Sequence, residues 1–219
     1  MSDCVLLFSG GLDSTTLLWH LLNKGKTPLC VSFFYGQRHS CEIRSGKAIV
    51  ELAKVGRRVV NLSSLFSHSG TDVLTNKGTE VPKGHYEDAS MKVTYVPNRN
   101  MIMLAAAAGI AISGGLDEIY YAAHAGDHAI YPDCREDFIQ AMGGSLKLCN
   151  YTPINLITPF VYWRKEQVCA RGLELGAPLH LTWSCYVGGD KHCGECGTCS
   201  ERKEAYALCG GDDPTEYAI

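Results

Sequence analysis

Five short β-prone runs punctuate the chain, at 4–8, 29–34, 57–62, 118–122 and 155–157, and each has the length of a strand rather than of a helix. Between them the apolar spacing changes. Leu17, Leu18, Leu21 and Leu22 recur at helical intervals over 15–22, and further helices are expected at 41–55, at 101–112, from about 135, at 164–175 and at 200–208. Strand followed by helix, repeated, predicts an α/β fold: a doubly wound parallel five-stranded sheet with ligands beyond the carboxyl ends of its strands. Residues 63–95 break the pattern, being rich in Ser, Gly, Thr, Lys and Asp without periodicity. A stretch that long implies a lid, a partner surface or a disordered loop.

The first strand runs into Ser9-Gly10-Gly11-Leu12-Asp13-Ser14-Thr15 at the mouth of the first helix. Two glycines leave no Cβ between a bulky anion and the backbone N–H groups, and the helix N-terminus adds free donors and a partial positive charge. This is a phosphate cradle, but not the G-x-x-x-x-G-K-[ST] loop, because no lysine follows the glycines. Asp13, an anion beside phosphates, makes sense chiefly as a ligand for a bridging Mg²⁺. A phosphate-bearing ligand with Mg²⁺ is therefore expected, in contact with residues among Phe8, Ser9, Gly10, Gly11, Leu12, Asp13, Ser14, Thr15, Thr16, Leu17 and Leu18, and the resemblance given below makes that ligand ATP.

Composition narrows the class. The 219 residues are 46% apolar and 20% charged, with a formal net charge of −3, which gives no extended basic surface for nucleic acid. No secretory leader is readable at the start, and the most apolar helix candidate is too short to span a bilayer, so a cytoplasmic enzyme without membrane or nucleic-acid partners is expected. Eleven cysteines in such a chain read as thiols plus a metal site rather than a disulfide framework. Cys185, Cys193, Cys196 and Cys199 form C-x7-C-x2-C-x2-C, in which the short steps let four thiolates converge on one ion. Four sulfurs and no histidine argue for one structural tetrahedral Zn²⁺, with an iron–sulfur cluster as the competitor. The chain then divides into a nucleotide-binding domain, 1–180, and a metal-binding segment, 181–219, packed on it.

Polar residues after the other strands supply the remaining candidates. Tyr35 could stack on a base, and Arg38 could reach phosphate or a carboxylate. Asp127 and Asp133 could accept from the N–H groups of a guanine-like ring, and Arg135 could pair with a carboxylate, although Asp133 could equally cap a helix. Lys165, at a helix start, is the best cation for the polyphosphate that the glycine loop leaves without a lysine, and Arg99 is a second. Cys134 is the one candidate covalent nucleophile.

The SGGxDS loop resembles that of the PP-loop ATP pyrophosphatase superfamily. The YGQRH segment at 35–39, VPNRN at 96–100, YPDCR at 131–135 and TWSCY at 182–186 extend the resemblance over the whole chain to the 7-cyano-7-deazaguanine synthase family. That resemblance implies an adenine nucleotide alpha-hydrolase-like fold, a zinc site at the four cysteines and a homodimer. It also implies ATP-dependent conversion of 7-carboxy-7-deazaguanine and ammonia to the nitrile, with AMP and pyrophosphate released. His124 and His128 depart from the usual family pattern. Two other readings stay open: a PP-loop enzyme of tRNA thiolation, and a zinc-stabilised ATP sensor without turnover.

Overall fold

The computed structural model describes residues 2–66, 73–76, 78–86 and 88–219. Five parallel strands, β1 (Cys4–Leu7), β2 (Pro28–Phe34), β3 (Arg57–Asn61), β4 (Glu118–Tyr120) and β5 (Asn155–Ile157), pair in the order β3-β2-β1-β4-β5. Both faces of the sheet are covered, which is why β1 is buried at every position and reads as an unbroken apolar run. Its side chains alternate between two cores. Val5 and Leu7 join α4 (Arg99–Ser113) and α5 (Glu136–Leu148) on one face, while Leu6 and Phe8 meet α1 (Leu12–Asn23), α2 (Cys41–Ala53), α6 (Lys165–Glu174) and α7 (Gly197–Cys209) on the other. β3 lies at the edge, and none of its residues is fully buried, which matches the thinner cover there.

Chain direction decides where a site can form. The strand order reverses between β1 and β4, the chain leaving β1 through α1 on one face of the sheet and leaving β4 toward α5 on the other, so the segments after these strands part and leave a crevice. Gly10 shows how tightly the first of these segments is packed. It has φ +92°, and a Cβ there would stand 2.6 Å from the carbonyl oxygen of Glu42 in α2.

The stretch 63–95 falls partly outside the described residues. Its described parts include one short helical turn, α3 (Ser63–Phe66), and a 3-10 turn at Ala89–Thr94. Residues 78–86 clasp the metal-binding segment through a bridge between Lys83 and Cys196 and a hydrogen bond from Gly84 N–H to the Glu195 carbonyl at 3.2 Å. Among the described residues, no helix is long and apolar enough to cross a membrane.

Candidate active site and metal centre

Beyond the ends of β1, β2 and β4 lies a cleft whose floor is the glycine loop. Within the loop, Ser9 Oγ accepts from Gly11 N–H at 3.1 Å and Ser14 Oγ from Gly10 N–H at 3.3 Å, while the two hydroxyls lie 3.1 Å apart. The Gly10 and Gly11 amides are thus held by the loop's own hydroxyls, which an anion seated there would replace as their partners. Leu17 and Leu18, expected at the nucleotide, lie instead in the core, because the turn of α1 carries them to its buried face. Thr15 and Thr16 are fully buried as well.

Asp13 is the centre of a charged cluster. Its Oδ2 lies 2.8 Å from Lys165 Nζ, and its Oδ1 lies 3.6 Å from His124 Nε2 and has no hydrogen-bond partner among the described residues. Burial would raise its pKa, but Lys165 and His124 hold the carboxyl well below the usual range. An ionised carboxylate with a free, buried oxygen beside the phosphate cradle suits a hard divalent cation. For Lys165, burial opposes the charge, but Asp13 and Glu201 outweigh it and raise the ammonium's pKa well above that of an ordinary lysine. His124, fully buried at the end of β4, accepts from Gly126 N–H at Nδ1 and points Nε2 at Asp13 and at Asp127 Oδ2, 3.5 Å away. Burial pushes the imidazole's pKa down while Asp127 and Asp13 push it up, and with Nδ1 accepting from Gly126 N–H the ring's proton sits on Nε2, facing the two carboxylates.

Above this cluster the cleft is walled by tyrosines. Tyr86 donates to Asp127 Oδ1 at 3.1 Å, and the hydroxyls of Tyr131 and Tyr186 lie 3.0 Å apart. Arg99 is sandwiched by aromatic rings, its guanidinium 5.5 Å from the centroid of Tyr35 and 5.8 Å from that of Tyr131. Arg38 also lines the cleft and donates to the Thr79 carbonyl at 3.2 Å.

Two expected substrate residues lie elsewhere. Asp133 is buried below the cleft and accepts from Asn100 N–H at 3.2 Å, satisfying a first-turn donor of α4 rather than of the helix that follows it. Arg135 is exposed and donates to the His128 carbonyl at 2.8 Å, since the 3-10 turn at Pro132–Cys134 carries it past the cleft. Cys134 does line the cleft, within 3.1 Å of the Tyr121 hydroxyl, but burial pushes its thiol well up, so it remains protonated and a poor nucleophile.

The residues missed by sequence reading are Tyr86, Glu42 and Glu201. Tyr86 lies in the stretch without periodicity, Glu42 opens α2, and Glu201 follows the last cysteine by two positions. None carries a local signal. His124 was visible only as a departure from the family pattern.

The four cysteines converge as their spacing implies. All four sulfurs lie within 4.8 Å of one another, with Cys196 Sγ 3.5 Å from Cys199 Sγ and 4.0 Å from Cys185 Sγ. A tetrahedron with metal–sulfur bonds of 2.3 Å has edges of about 3.8 Å, so the set fits such an ion. Backbone N–H groups of Glu195 and Cys196 donate to Cys193 Sγ at 3.4 and 3.3 Å, which fixes the position of that sulfur.

A parallel sheet with a cleft at its switch point, floored by the glycine loop after its first strand, places the chain in the doubly wound α/β class, whose ligands bind at that crevice. Its fold is similar to that of a 4-thiouridine synthetase solved with RNA and bound ATP, at TM-score 0.53 and 18% identity, over 82% of this chain and 42% of that one. The model of the family described as "Queuosine biosynthesis protein QueC" matches residues 3–210, and the chain belongs to that family. It is 48% identical to the 7-cyano-7-deazaguanine synthase of Caldicellulosiruptor saccharolyticus, over 98% of this chain and 95% of the relative. It is 46% identical to the enzyme of the same name from Archaeoglobus fulgidus, over 96% and 88%.

Proposed function

We propose that the protein is a carbon–nitrogen ligase that converts 7-carboxy-7-deazaguanine and ammonia, with ATP, into 7-cyano-7-deazaguanine for queuosine biosynthesis. The observation that carries this reading is full-length similarity to synthases of that name, joined to a cleft in which an ionised Asp13 and a charged Lys165 meet at the phosphate cradle.

A carboxylate is a poor acyl donor because oxide would have to leave. Attack of the acid oxygen on the α-phosphorus of ATP expels pyrophosphate and supplies AMP as the leaving group. Ammonia then adds at the acyl carbon, AMP departs, and the surplus proton passes to a base. Attack of the amide oxygen on the α-phosphorus of a second ATP expels pyrophosphate, and loss of AMP from carbon and of the remaining protons from nitrogen to base leaves C≡N. In this scheme Ser9, Gly10, Gly11 and Ser14 hold phosphate, while Lys165 and Arg99 face negative charge that grows during the attack. Asp13 would hold Mg²⁺, which neutralises phosphate charge. Tyr35 offers an aromatic face to a base, and Asp127, steadied by Tyr86, accepts from the N–H groups of the purine-like ring. Zn²⁺ at the four cysteines would be structural, since thiolates fill all four positions. The working protein is proposed to be a cytoplasmic homodimer acting on small molecules.

The test is a mass spectrum. With ATP, ammonium and 7-carboxy-7-deazaguanine, the expected products are the nitrile, AMP and pyrophosphate. An amide as the final product, ADP with phosphate, or no product with ATP still bound would overturn the scheme.

A further inference from the structure

The first turn of α7 has two working faces. Cys196 and Cys199 are three residues apart and turn toward the other two thiols, whereas Thr198 and Glu201, also three apart, line the cleft. Positions 199 and 201 are separated by about 200° around the helix, so a residue two beyond a metal ligand must point the opposite way. Glu201 Oε2 reaches to 3.2 Å from Lys165 Nζ, with its side chain 12% exposed and that of Lys165 15%. Gly126 makes room for this approach, since a Cβ there would stand 3.3 Å from Glu201 Oε1 and 3.0 Å from the His124 ring.

We propose that Glu201 is a positioning residue for ATP cleavage, acting through Lys165, so that the metal-bearing terminal helix is part of the active site and not only a brace. This rests on the reading above, in which Lys165 serves the ATP bound at the glycine loop.

Lys165 extends on a flexible stem, and one partner leaves its ammonium many arrangements. Asp13 on α1 and Glu201 on α7 take it from two elements, at 2.8 and 3.2 Å. Asp13 also has to serve a cation beside the phosphates, and the share of its charge left for the lysine then falls. Glu201 has no such second duty, and it keeps the ammonium in place during the attack. His124 Nε2, 3.4 Å from Lys165 Nζ, supports the carboxylates on either side rather than the lysine, because its proton faces them.

Glu201→Gln keeps the size and one acceptor oxygen but removes the charge. Its kcat for pyrophosphate release is expected to fall by about tenfold or more, with KM for ATP within roughly threefold, the pattern of an interaction realised in the transition state. Metal content and melting temperature should match the wild type, and Glu201→Asp should recover part of the rate. Wild-type kcat in Glu201→Gln, a rise in KM alone, or loss of metal or of melting temperature would each overturn the proposal. Failure of the underlying reading shows separately, as a wild-type enzyme that releases no pyrophosphate with the acid and ammonia.

Discussion

Glu42 lines the cleft from the first turn of α2, with Arg99 as the charge that acts on it. Burial raises its carboxyl to about 7, and the pull of Arg99 only moderates the shift. The native state therefore holds this proton more tightly than the unfolded chain does, and stability falls as pH rises from about 4.5 toward 7. Glu42→Gln removes that penalty. Its melting temperature should equal the wild type's near pH 4 and exceed it near pH 8, which thermal melts at the two values would check. At Gly10 the limit is space as well as backbone angle. Gly10→Ala drives a methyl into the Glu42 carbonyl region and forces a positive φ on an L-residue, so a loss of about 2 kcal/mol or more and weak ATP binding are expected in denaturant titrations and nucleotide binding.

At the scale of elements, the strands and most helices were legible because local spacing encodes local structure. β5 matches its sequence reading residue for residue, and α4 gained only a residue or two at each end beyond 101–112. The terminal helix was legible from 200, but it starts at Gly197, inside the cysteine cluster, with Cys196 in the N-cap position. That shift ties the metal centre to the cleft. Cys196→Ser should therefore release the metal, lower the melting temperature by about 10 °C or more, and loosen α7. Elemental analysis should find one zinc per wild-type chain and little in the variant. A coloured protein carrying iron would instead favour the cluster of iron and sulfur.

At the scale of the whole molecule, segment 181–219 contributes both to the core and to the cleft. Ala205 and Tyr206 of α7 share a core with Leu6, Phe8 and Leu17, and Trp183, Tyr186, Thr198 and Glu201 all line the cleft. We propose that both segments unfold together. A chain ended at 180 should be insoluble or lack fixed tertiary packing, with near-ultraviolet circular dichroism as the readout. A separate, cooperative melt of 1–180 would show the two to be independent.

What the chain determined by itself was whatever neighbours in sequence could settle: runs that become strands, a glycine pair at a helix mouth, and four thiols spaced to share an ion. Tertiary structure decided who meets whom. Asp13 and Lys165 are 152 positions apart, and only the β3-β2-β1-β4-β5 order brings the loop after β1, the turn after β4 and the helix after β5 to one place. Arg135 shows the converse, for its residue type suited the site and its backbone direction took it away from it. The reason is physical: periodicity reports which face of an element is buried, whereas proximity across the fold depends on strand order, and strand order leaves no local trace.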